Sequence, residues 1–166
     1  MEDKILVKIV SITPEEKRRI LSFAQKVIKD AGENSKAAWK LKRNYTIASM
    51  CIGTIGELAY AKMTGQRVNM TLKTFGDKGI DFPDGAQVKT CTYNGPYKKE
   101  LKVSSLKFKI IPKKFILAHY NAANKSNFVA MLGEISYENF LSKKKVKYFN
   151  EKPSFVVSED ELDKYY

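Results

Sequence analysis

The chain has 166 residues, 43% of them hydrophobic, and carries 30 Lys and Arg against 18 Asp and Glu, a formal net charge of +12. That length and apolar content suit a single globular domain over residues 1–166, and the charge favours a polyanionic partner such as nucleic acid. No apolar run reaches the ~18 residues of a membrane span, and two cysteines with one histidine support neither a disulfide framework nor structural zinc. The expected setting is therefore a reducing one: cytoplasmic, or the host cytoplasm if the protein is viral.

Residues 4–10 alternate in strand fashion, and the Ile5-Leu6-Val7 patch is too short and too acid-flanked for a secretory signal. Thr13-Pro14-Glu15-Glu16 is a capping box with Pro at the first helical position. It opens a helix to about Lys29, with Ile20, Phe23, Ala24, Val27 and Ile28 on one face and a stop near Gly32. A basic connector precedes a second helix, about Tyr45 to Met63, rich in small and apolar residues and ending near Gly65. Val68 to Lys73 reads as extended. Further strands are expected at 101–108, 115–120 and 128–135, a Ser136-capped helix to Lys144, a short strand at 155–157 and a last helical turn at 158–162. This order specifies an α/β chain with a mixed sheet flanked by helices.

The most specific stretch is Gly79-Ile80-Asp81-Phe82, a Pro83-Asp84-Gly85 turn, then Ala86-Gln87-Val88-Lys89-Thr90. Alternation on both sides of a three-residue loop with Pro and Gly predicts a β-hairpin. Pairing Phe82 with Ala86 and Asp81 with Gln87 would put Asp81, Gln87 and Lys89 on one face. An acid, an amide oxygen and an amine converging there suit a divalent cation and a phosphate. Asp77 and Asp84, beside glycines, read as turn residues.

An acid after a glycine, a short gap and then E/Q-x-K resembles the core of the PD-(D/E)xK nuclease superfamily. The likeness covers residues 44–135 and divides the chain into an N-terminal strand and helix (1–43), a catalytic core (44–135) and a C-terminal helix and strand (136–166). It implies a restriction-endonuclease-like mixed sheet. It also implies a further acid from the preceding helix, matched by Glu57 in Gly56-Glu57-Leu58-Ala59-Tyr60-Ala61. Two departures stand out: Gly79-Ile80 precedes Asp81 where a proline is common, and Gln87 replaces the usual second acid.

What the resemblance implies is a Mg²⁺- or Mn²⁺-dependent deoxyribonuclease, an endonuclease hydrolysing phosphodiester bonds in DNA. Such an ion held by oxygen ligands makes hydroxide from water and neutralises phosphoryl charge. Asp81 would be its central ligand, with Glu57 direct or through water, the Gln87 amide oxygen and the Val88 carbonyl alongside. Lys89 would orient or activate the water and stabilise the transition-state charge. One fewer carboxylate predicts weak, millimolar metal binding. Basic residues for phosphate contacts are Lys36, Lys40, Lys42, Arg43, Lys98 and Lys99, with the runs 107–109, 112–114 and 142–147 also basic. Trp39, Tyr93 and Tyr97 could stack on bases or simply pack. His119, the sole histidine, reads as a strand-end residue more readily than a catalytic one, and Thr90 as a support on the face opposite Lys89. Three alternatives stay open: a Holliday-junction resolvase of the same superfamily, a catalytically silent nucleic-acid-binding protein, and a basic adaptor using the acidic 158–163 segment. A two-fold substrate would favour a homodimer, with the first helix and the 128–135 strand as available surfaces.

Overall fold

The computed structural model describes residues 7–33, 47–70 and 80–165; Lys36, Trp39, Lys40, Lys42, Arg43 and Gly79 lie outside them. β1 (Lys8–Ser11) leads into α1 (Pro14–Glu33) through the expected capping box. Thr13 Oγ1 accepts from the Glu16 N–H at 3.1 Å, while Glu16 Oε2 accepts from the Thr13 N–H at 2.8 Å. Ile20, Ala24 and Val27 are buried, as the helical spacing predicts. α2 (Ile47–Thr64) ends on Gly65, whose φ of +72° lets the Gln66 N–H return to the Ala61 carbonyl at 3.0 Å, a Schellman closure. The stretch from Val68 to Met70 is irregular rather than extended, and Thr71 to Lys73 lie outside the described residues.

The remaining elements are β2 (Ala86–Cys91), β3 (Glu100–Val103), β4 (Lys114–Tyr120), β5 (Phe128–Ser136), α3 (Tyr137–Lys143), β6 (Lys145–Phe149), β7 (Lys152–Ser158) and a 3-10 turn at Glu159–Glu161. Ser136 caps α3 by accepting from the Asn139 N–H at 3.2 Å. Two expectations need correction. The strand expected over 101–108 stops at Val103, and β6 was not expected, because its lysines belong to the basic 142–147 run read for phosphate contacts, which masks the alternation of an exposed strand. Asn150 and Glu151, with φ of +47° and +66°, form the two-residue primed turn joining β6 to β7.

The strands form two sheets. A mixed four-stranded sheet has the order β1-β5-β4-β2, with β2 and β4 parallel and the other pairs antiparallel; an antiparallel sheet has the order β3-β7-β6. α1 and α2 cover one face of the mixed sheet through Ile20, Ile55, Ala59, Tyr60, Val88, Ile116 and Ala118. The second sheet and α3 cover the other through Leu101, Val103, Phe115, Leu117, Phe140 and Val157. This explains the unbroken apolar run Phe115-Ile116-Leu117-Ala118: alternate residues enter different cores. The two surfaces expected for a homodimer are both used internally. β5 is paired on both sides, by β1 and β4, and the apolar stripe of α1 is in the core. No helix among the described residues is long and apolar enough to cross a membrane.

Candidate active site

Residues 81–85 form bends and a turn, not a strand, so the expected hairpin is reduced to its turn and its second arm. Gly85, with φ of +84°, closes the turn by donating to the Phe82 carbonyl at 3.0 Å. The Ala86 carbonyl accepts from both the Asp81 N–H (2.8 Å) and the Phe82 N–H (3.3 Å). Asp81 therefore does not pair with Gln87. Its carboxylate instead takes the Val88 N–H, with Oδ2 at 2.7 Å. β2 is the edge strand of the mixed sheet among the described residues, and Val88 presents its amide on the side away from β4. The N–H and C=O of one strand residue point to the same side, so the Val88 carbonyl faces the edge that carries Asp81.

Gln87 and Lys89 share a face of β2, in register with Phe115 and Leu117, which looks toward the second sheet. Gln87 is fully buried at 0% exposure; Lys89 is half-buried. Ala86, Val88 and Thr90 face α2 instead. There the helix comes in close at one glycine: a Cβ on Gly56 would lie 1.9 Å from Thr90 Oγ1 and 3.1 Å from Thr90 Cβ. Glu57, half-buried, is the next residue along the helix, and Lys89 immediately precedes Thr90. Thr90 Oγ1 is buried with no hydrogen-bond partner among the described residues. The candidates thus divide around the outer edge of β2: Asp81 and the Val88 carbonyl on the edge, Gln87 and Lys89 on the face toward the second sheet, and Glu57 on the helix that covers the other face. They do not lie on a single strand face.

Oxygen donors dominate this set: two carboxylates, one main-chain carbonyl and one amide. That chemistry fits a hard divalent ion such as Mg²⁺ or Mn²⁺ and not a thiophilic one. No cluster of three or more His, Cys, Asp or Glu occurs among the described residues, and the expected set contains only two such groups.

Beside the turn lies a network the sequence did not reveal. Asp84 Oδ2 accepts from the Tyr60 hydroxyl at 2.6 Å and from Gln66 Nε2 at 3.0 Å, and Oδ1 accepts from the Ala86 N–H at 3.0 Å. Burial acts to raise the Asp84 pKa, but these donors and the Lys114 charge outweigh it and hold the carboxyl below the ordinary carboxylate value. Burial, reinforced by Asp84, pushes the Tyr60 phenol well up. Asp84 is the turn aspartate of the sequence reading, and it also locks α2 to the start of β2. Lys114 pairs with Glu134 at 3.1 Å, and Tyr165 donates to Glu134 at 3.1 Å.

The expected DNA contacts divide. Lys98 is exposed and pairs with Asp160 at 3.2 Å; Lys99 is half-buried and donates its N–H to Glu159 Oε1 at 2.8 Å. Tyr97 is 79% exposed, Tyr93 less so, and Tyr93 accepts the Tyr97 N–H at 3.3 Å. His119 lies in register with Cys91, two positions beyond Lys89 on the same face. Its Nε2 is 3.0 Å from Asn94 Oδ1, and Asn94 in turn donates to Asn121 at 3.0 Å. Burial and the Lys99 charge lower its pKa, against the Tyr93 backbone and Glu159, which favours the neutral ring. This ring ties the 92–99 connector to β4, in keeping with a strand-end role. The chain matches no protein-family model, no curated protein and no solved structure.

Proposed function

We propose that this protein is a metal-dependent deoxyribonuclease with a restriction-endonuclease-like core, cutting DNA as an endonuclease at the outer edge of β2. The observation that carries the reading is the Asp81–Val88 hydrogen bond. It draws an acid from outside the strand to the edge that presents the Val88 carbonyl, beside the Gln87-Val88-Lys89 triplet and under the helix that bears Glu57. The Val88 N–H bond fixes the Asp81 carboxylate at the edge of β2, where it would serve as a ligand to the cation. Glu57, Asp81, Gln87 and the Val88 carbonyl would hold Mg²⁺ or Mn²⁺, which when bound supplies Lewis acidity and a lowered water pKa. Lys89 would set the attacking water against the phosphorus and offset charge on the phosphoryl oxygens. Hydrolysis adds water across the P–O3′ or P–O5′ bond, leaving a phosphate monoester and a hydroxyl. The net charge of +12 provides salt-sensitive attraction for the substrate.

A second reading draws on one observation of its own. Gln87 is wholly buried, which suits a core amide that has replaced an active-site acid in a catalytically silent DNA-binding protein. The deciding experiment is cleavage of duplex, single-stranded, supercoiled, RNA and four-way-junction substrates in Mg²⁺, Mn²⁺ or EDTA, by wild type and Asp81→Ala. Metal-dependent cutting lost in the variant establishes the nuclease, and preference for the junction identifies a resolvase. Binding without cutting of any substrate establishes the silent protein. Gln87→Glu separates the readings again: tighter metal activation places Gln87 at the ion. Lower stability with unchanged metal response places it in the core, where an unpaired carboxylate is costly.

A further inference from the structure

The second sheet has an inner face, made by Leu101, Val103, Phe155 and Val157, and an outer face that no described element covers. Directly opposed residues of antiparallel strands share a face, so the register fixes what the outer face carries. Lys102 opposes Val156, which opposes Lys145; Ser154 opposes Lys147; Lys152 opposes Phe149. Four lysines and a phenylalanine from three adjacent strands therefore project to one side, with Glu100 as the acid on that side. Two contacts cross over the middle strand. Lys102 Nζ sits 4.0 Å from the centre of the Phe149 ring, and Lys147 pairs with Glu100. Such diagonal reach between the outer strands requires a coiled, concave face, and it accounts for Val156 being only 3% exposed on a face without an apolar core. Lys145 and Lys152 are exposed and form no ion pair among the described residues.

We propose that this concave face is a second DNA-binding surface, which takes the sugar-phosphate backbone of duplex DNA without base readout. It rests on the proposed function for the identity of the polyanion, but not on cleavage. Two uncompensated ammonium groups, on neighbouring strands and four residues apart along them, stand roughly 14 Å apart on this concave face, far enough for each to take a different phosphate of one backbone. Phosphate contacts alone carry no sequence information. Lys145, on the edge strand β6, also guards against self-pairing, whereas Lys152 lies on the middle strand, so a loss of DNA affinity at both positions separates phosphate contact from edge protection.

The test is binding of a labelled random-sequence duplex by the full chain in EDTA, over a KCl series, so that no cleavage enters. Lys145→Gln/Lys152→Gln is compared with Lys26→Gln/Lys29→Gln, which makes the same charge change on the exposed side of α1. The face variant should bind on the order of tenfold more weakly near 0.1 M salt, and its salt slope should fall by about 1.8, roughly 0.9 for each lost phosphate contact. The α1 variant should lose less than about threefold. Equal losses in both pairs, an unchanged slope, or no DNA binding by the wild type would overturn the proposal. If the double variant melts early, each single substitution should still lower the slope by about 0.9. Binding that persists in a protein unable to cut DNA leaves this surface standing and removes only the nuclease reading.

Discussion

β2 and β6 are both edge strands among the described residues, yet the chain treats them oppositely. Three of the six residues of β2 are buried, and its outer amide at Val88 is taken by a side chain from the preceding turn. Every residue of β6 is exposed, with Lys145 and Lys147 at alternate positions and no described element over them. An unpaired edge is a hazard that can be blunted by charge or occupied by a local group. β6 uses charge, which leaves a surface for a polyanion. β2 uses a carboxylate, which leaves an acid beside a strand that also carries an amide and an amine. The difference shows how one topological position can be occupied by a local carboxylate where it is buried and left charged where it is wet.

The two edges should differ most at Asp81. Asp81→Ala and Lys89→Ala should each lower metal-dependent cleavage by at least ~10³-fold while leaving duplex affinity in EDTA within about threefold. Single-turnover assays read this directly, and wild-type rates in either variant would remove β2 as the centre.

Next in size is the seat of α2. Gly56→Val places a branched side chain where even one Cβ would meet Thr90 Oγ1 at 1.9 Å, and rotating Thr90 leaves its Cβ at 3.1 Å. A loss of about 3 kcal/mol or more in denaturant unfolding is expected. Gly56→Ala should cost less, about 1–3 kcal/mol, and Thr90→Ala in the same chain should recover part of it. Additive losses in that double-mutant cycle would mean that the helix does not rest on Thr90.

A smaller effect lies at Asp84. Its folded pKa is depressed below the ordinary 3.8, so its contribution is present above that value and fades as pH falls through the folded one. Asp84→Asn should cost about 1 kcal/mol at pH 7 after solvent screening, and should flatten the stability loss below about pH 4. Chemical denaturation from pH 7 to 3 measures both. A parallel acid decline in the variant would place the titration elsewhere.

The smallest change in stability is expected at β6, where Lys145→Gln should move the unfolding free energy by less than about 0.5 kcal/mol. Lys145→Val with Lys147→Val should instead raise concentration-dependent association, followed by light scattering, because the edge loses its charge. A monomeric, freely soluble double variant would show that another feature protects this strand.

The features legible in the sequence are local. The Thr13–Glu16 box, the Gly65 stop, the Pro83-Asp84-Gly85 turn and the Ser136 cap each join residues within about five positions, so composition and spacing suffice to specify them. The residue types of the candidate centre were legible for the same reason, since Asp81, Gln87 and Lys89 lie within nine residues of one another. Only the tertiary structure decided their arrangement. Parallel pairing of β2 with Phe115–His119 of β4, across an intervening strand, leaves the outer side of β2 to Asp81 and denies it the facing strand that alternation suggested. The Tyr60–Asp84 bond spans 24 residues, and the coiled outer face joins β3 to β6 across 47. Contacts of that separation depend on which apolar faces are buried against which, and no short window of sequence carries that information.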